Sequence, residues 1–134
     1  MPSEIRNKYR SPVTVQASNA ITANAFSAGT QTVIDNTSSG NGGGCNDLEL
    51  YANVSAAPAT AATAELYMQA SQDGGTTYSA EVFRGVVAIP VSVTGDYYFG
   101  RIMDVPEFCK LKIKAISYGF TASLIAVPVV MEAQ

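Results

Sequence analysis

The chain has 134 residues, of which 47% are hydrophobic and only 14% charged, with a formal net charge of −3. That length suits one domain that buries roughly two thirds of its unfolded surface around a single core and folds without staples. A charged fraction far below the usual ~25% gives a weakly charged surface suited to packing against other subunits. The acidic balance argues against a nucleic-acid binder, which needs clustered Lys and Arg.

Residues 1–12 carry Glu4, Arg6, Lys8 and Arg10, with Ile5 and Tyr9 as isolated apolar anchors and Pro12 closing the segment. No apolar stretch of a secretory signal is present. The segment reads as an extended N-terminal arm ahead of a single domain over 13–134. It is either a frayed terminus or an arm that orders on a partner, with Ile5 and Tyr9 docking and Arg6, Lys8 and Arg10 meeting acidic groups there.

Residues 13–16 suit a short strand and 30–35 a clearer one, with Ile21 and Phe26 tucking into the core edge between them. The glycine-rich run 38–44 lacks the Gly-Lys-Ser/Thr ending of a phosphate-binding loop and reads as flexible. Residues 47–54 then alternate cleanly, with Leu48, Leu50, Ala52 and Val54 inward and Glu49, Tyr51 and Asn53 outward. After a long loop over 55–63, this strand is expected to pair with 65–71. One register sets Tyr51 opposite Tyr67, either stabilising the sheet or forming an interface platform.

Residues 65–85 read as a β-hairpin. Leu66, Met68 and Ala70 alternate with Tyr67, Gln69 and Ser71, and Asp73-Gly74-Gly75 supplies the turn, since glycine takes φ > 0 without steric cost. A two-residue loop would set Leu66 against Glu81. A three-residue loop pairs Met68 with Ala80 and Leu66 with Val82, with Gly75 as the left-handed bulge residue, and a five-residue loop keeps the same parity.

Residues 86–94 are strongly β-forming, but Pro90 cannot donate to a ladder, which places them at an edge or a bulge. A turn at Gly95-Asp96 leads into an aromatic strand over 97–103, where Gly100 marks a bulge. After a loop over 104–108, residues 109–116 put Lys110, Lys112 and Lys114 on one face and Cys109, Leu111, Ile113 and Ala115 on the other. The lysines suit a solvated or edge strand protected against aggregation, with contact to an acidic protein surface and, behind it, contact to nucleic acid as the alternatives. Residues 120–130 close the chain as a long strand; its apolar run is too short, and broken by Pro128, to span a membrane.

About eight short strands without a helix or a fixed repeat make an all-β antiparallel two-sheet sandwich, with the jelly roll as leading topology and an Ig-like sandwich as the alternative. With no histidine, Ser-His and Cys-His nucleophile pairs and the commonest metal ligand are absent. The aspartates sit in or beside turns, where Asp is favoured for backbone reasons alone, so neither an enzyme, a metal site nor a cofactor is expected. Cys45 and Cys109 lack the close pairing of a zinc site; Cys109 fits a small buried hydrophobe, and a disulfide between the two is the alternative.

The runs Asp47-Leu48-Glu49-Leu50, Ser71-Gln72-Asp73-Gly74-Gly75-Thr76-Thr77-Tyr78 and Leu111-Lys112-Ile113-Lys114 together resemble small β-sandwich virion proteins of tailed bacteriophages. In size and style the chain is most similar to capsid decoration, or cement, proteins. The resemblance implies a non-enzymatic protein made in the bacterial host cytoplasm and residing on the capsid exterior. There it would bind the major capsid protein, bridge neighbouring capsomers and act as a dimer or trimer, without nucleic acid or membrane. A tail or head-fibre component on the same sandwich is the nearest alternative, and a carbohydrate-binding module using the tyrosines is another. No site residue carries over from the resemblance. The candidate contacts Ile5, Arg6, Lys8, Tyr9, Arg10, Tyr51, Tyr67, Lys110, Lys112 and Lys114 come from the chain itself.

Overall fold

The period-two alternation decides the architecture, because each strand has one apolar face and two such faces must close on each other. The computed structural model describes residues 5–28 and 31–133; the expectations at Glu4 and Thr30 lie outside them. The strands are β1 (Ile5–Tyr9), β2 (Val13–Ile21), β3 (Ile34–Asp35), β4 (Asp47–Ala56), β5 (Ala62–Ser71), β6 (Val82–Ile89), β7 (Gly95–Met103), β8 (Phe108–Ile116) and β9 (Phe120–Ala133). Two antiparallel sheets result. One runs β1–β9–β4–β7 with β2 also on β9; the other runs β3–β8–β5–β6.

The core lies between the sheets. Leu48 and Leu50 of β4 and Leu124 of β9 meet Leu66 of β5 and Leu111 and Ile113 of β8, all essentially without solvent exposure. Burying each such side chain contributes about 1.5–3 kcal/mol. Cys109 is fully buried in the same layer, and both cysteines are unbonded thiols.

Several expectations need correction. β4 does not pair with β5: its neighbours are β7 and β9, while β5 lies between β6 and β8 in the other sheet. The chain between Ala56 and Ala62 crosses from one sheet to the other, so the two alternating strands face each other through the core rather than sharing a ladder. β8 is an interior strand, so of the two placements expected for its lysines, a solvated face or an edge, the solvated face is the one that holds. Phe26 leaves the core edge for the outer face of the second sheet, where it contacts Tyr67. The run 38–44 is held by hydrogen bonds: Asp35 N–H and Val33 C=O bind the Asn41 side chain, and Gly42 N–H donates to Asp35 C=O.

The expected hairpin forms with a different register. Met68 faces Val82 and Tyr67 faces Phe83, leaving 72–81 as a wide loop. Asp73 is the cause. Its carboxylate accepts from Ser71 Oγ, Thr76 N, Thr77 N and Thr77 Oγ1, drawing the chain into a closed cage instead of a tight turn. Gly75 does take the left-handed conformation, at φ 90°. β6 is an edge strand that ends before Pro90, as the missing donor requires.

Of the expected arm over 1–12, residues 5–9 form a strand, β1, paired with β9. β1 and β2 lie end to end on the same edge of β9, with Tyr9 opposite Val129 and Val13 opposite Ala126. Their break has a cause: Arg10 N–H donates to Pro128 C=O at 2.9 Å, but Pro128 has no N–H to return and Pro12 has none to offer the ladder.

Candidate functional site

The terminal ribbon is the first candidate. β4 has its last partner on β9 at Val129, opposite Asp47, whereas β1 follows β9 from Val129 to Ala133. Those two segments therefore continue as a two-stranded ribbon past the rest of the sheet. Asn46 fixes its base, donating N–H to Val129 C=O and accepting Met131 N–H on Oδ1. Ile5 opens β1 opposite Ala133. From Arg6 to Arg10 every side chain is exposed, including Tyr9 at 56%, and Met131 opposite Asn7 is 47% exposed. Strand alternation puts Arg6, Lys8 and Arg10 on one face and Asn7 and Tyr9 on the other.

Beside the ribbon lies the ordered glycine loop. The Arg10 side chain packs so closely on Gly43 that a Cβ there would sit 3.2 Å from its Cδ. A cleft of about 420 Å³ opens between strand and loop, lined by Lys8, Arg10, Ser11, Ser38, Asn41 and Gly43 among others. Cations, hydroxyls and an amide on one cleft make a donor-rich wall suited to carboxylates.

Tyr9 also joins a network across the outer face of the first sheet. Arg101 on β7 reaches Asp47 at 3.4 Å and Glu49 at 3.2 Å on β4 and donates to the Tyr9 hydroxyl at 3.4 Å. Tyr98 donates its hydroxyl to Glu49 at 2.9 Å; burial first, then that carboxylate, push its pKa up. Exposed Tyr98 (55%) and Met103 (65%) flank this network. Tyrosine, methionine and arginine are the side chains enriched at protein interfaces. Tyr51 lies here too, opposite Tyr98 and Ile125. The expected Tyr51–Tyr67 pair is absent, because Tyr67 is on the other sheet, opposite Phe83 and Lys112.

The outer face of that second sheet gathers the remaining candidates. Tyr67 stands edge-on between Phe26 and Phe83, with ring centroids 5.1 and 5.8 Å away. Lys110 sits 4.3 Å over the Tyr78 ring, while Lys112 and Lys114 each lie 5.4 Å from Phe26. Lys112 also pairs with Glu81 at 2.9 Å, and its hydrogen bond holds that carboxyl below its usual range. Tyr67 donates to Glu65, which raises its own pKa. These lysines lie half-buried among aromatic rings of the sheet, whereas the side chains of the ribbon cations are exposed. The sequence pattern revealed the lysine stripe but missed Phe26, Phe83 and Arg101, whose partners come from distant strands.

Of the ten expected contacts, those whose side chains are described occupy different faces and do not form one surface. Among the described residues, no group of three or more Cys, Asp or Glu side chains is placed to hold a metal ion, and none forms a helix long and apolar enough to cross a membrane. Neither models of known protein families nor curated proteins match this chain.

Proposed function

We propose that this protein is a structural component of a bacteriophage virion that decorates the outside of the capsid, bridging neighbouring capsomers through its terminal ribbon. The observation that carries the reading is the ribbon itself, a preformed extension of β1 and β9 that carries Arg6, Lys8 and the exposed Met131 past the end of β4, with Arg10 and the exposed Tyr9 at its base. The strand order supports a jelly roll. Taking β1 and β2 as one edge, every connection except β5 to β6 passes from one sheet to the other, the arrangement of eight-stranded jelly rolls, which include viral capsid domains. A small homo-oligomer fits the open β6 edge, where Val82, Phe83 and Val86 are each about half exposed. The residue chemistry supports a binding role rather than catalysis, and many weak contacts repeated over a shell give strong retention by avidity.

The test is to add the purified protein to capsids lacking it and sediment them. Saturable co-sedimentation, together with a higher temperature for DNA release, is the expected result. No binding at any concentration overturns the reading. The aromatic row Phe26–Tyr67–Phe83 favours one second reading, a carbohydrate platform; it requires the melting temperature to rise with added sugar.

A further inference from the structure

The direction of the β1 backbone adds a specific partner chemistry to that reading, on which this inference rests. Because Arg10 N–H donates to Pro128 C=O, Arg10 and Pro128 form a hydrogen-bonded pair, and antiparallel pairing makes Lys8–Val130 and Arg6–Glu132 the next such pairs. The backbone groups of Asn7 and Tyr9 therefore point away from β9. Val129 agrees from the other side, since its C=O accepts from Asn46, away from β1. β1 is the last strand of its sheet, and no described backbone group pairs with Asn7 or Tyr9. The 420 Å³ cleft runs along Lys8 to Ser11, with Ser38, Gly40, Asn41 and Gly43 on its other side.

We infer that this edge accepts an extended acidic segment of the partner protein as an added antiparallel strand, with alternate carboxylates meeting Arg6, Lys8 and Arg10. Charge decides the occupant. Segments 5–11 and 127–133 hold three cations against one carboxylate, Glu132, whereas the rest of the chain holds five cations against ten carboxylates. A second copy of β1 is the wrong partner. Symmetric antiparallel pairing about Lys8 would set Lys8 against Lys8 and Arg6 against Arg10, like charges directly opposite one another. An acidic strand reverses each of those terms, adds main-chain hydrogen bonds and lays its alternate side chains along the cleft.

The probe is a short synthetic peptide alternating aspartate with valine, capped at both ends and titrated at low salt into the ¹⁵N-labelled full chain. The expected result is shifts confined to β1 and residues 38–43, with slowed exchange of the Asn7 and Tyr9 amides. A matched lysine–valine peptide should give none. Asn7→Pro removes an outward N–H while leaving the β9-facing bonds in place, so it should keep the melting temperature and weaken the peptide about tenfold, the net worth of roughly one hydrogen bond. Shifts centred on Lys110, Lys112 and Lys114, unchanged affinity in Asn7→Pro, or a dimer formed through β1 would each overturn the inference. The two proposals fail separately. Capsids bound equally well by Asn7→Pro exclude strand addition but leave decoration standing, whereas peptide binding without capsid binding does the reverse.

Discussion

Asp73 shows how a single side chain sets local geometry. Its carboxylate takes hydrogen bonds from Thr77, Ser71 and Thr76, with the Thr77 hydroxyl foremost in holding its pKa far below the usual carboxylate range. The folded state therefore binds this proton less readily than the unfolded chain. The associated stability is present above the unfolded value of about 4 and is lost as pH falls further; Glu81, held down by Lys112, acts in the same direction. In Asp73→Ala the thermal midpoint should drop at pH 7, and the difference from the parent should shrink on acidification below pH 4. A constant difference across that range would contradict the cage. Cys109 makes a second prediction at this scale. Burial pushes its thiol up to about 12, and burial also raises Cys45. A thiol reagent at pH 8 should label neither in the native protein and both after denaturation.

At the scale of elements, the strands were legible wherever alternation coincided with burial on one face. Leu48 to Val54 and Cys109 to Ala115 read correctly because period two needs no tertiary information. Leu111→Ala in β8 should cost about 2–5 kcal/mol in denaturant unfolding, as a truncation inside a packed layer does. The bulge at Gly100 was also legible. Leu50 faces Gly100 while Tyr51 faces Tyr98, so Phe99 is the extra residue, and Gly100 adopts φ 119°. Gly100→Ala should therefore destabilise by about 1–3 kcal/mol despite open space around the position, and an unchanged midpoint would show that the bulge relaxes. Pairing was not legible, because Tyr51 and Tyr67 alternate identically whether their strands share a sheet or face each other across the core. Nor could the sequence show that residues 5–9 would find the far end of β9, a contact between the two ends of the domain.

For the whole molecule, the division of labour follows from where charge and exposure fall. One outer face joins Lys110, Lys112 and Lys114 to aromatic rings and Glu81. The opposite end carries an exposed cationic ribbon beside a donor-lined cleft. Both sets were visible in the sequence as basic runs of similar appearance. Only the fold separates them, since aromatic partners from other strands cover one set. An electrostatic docking role for the ribbon also predicts weaker capsid binding as salt is raised from about 50 mM to 500 mM, as screening shortens the reach of exposed charges.

The most direct test of the account compares two triple charge reversals in co-sedimentation with capsids that lack the protein. Arg6→Glu/Lys8→Glu/Arg10→Glu should abolish binding with the sandwich still folded, while Lys110→Glu/Lys112→Glu/Lys114→Glu, in whatever fraction folds, should still sediment with the shell. Binding that survives the first set and is lost in folded protein of the second would contradict the ribbon as the docking element.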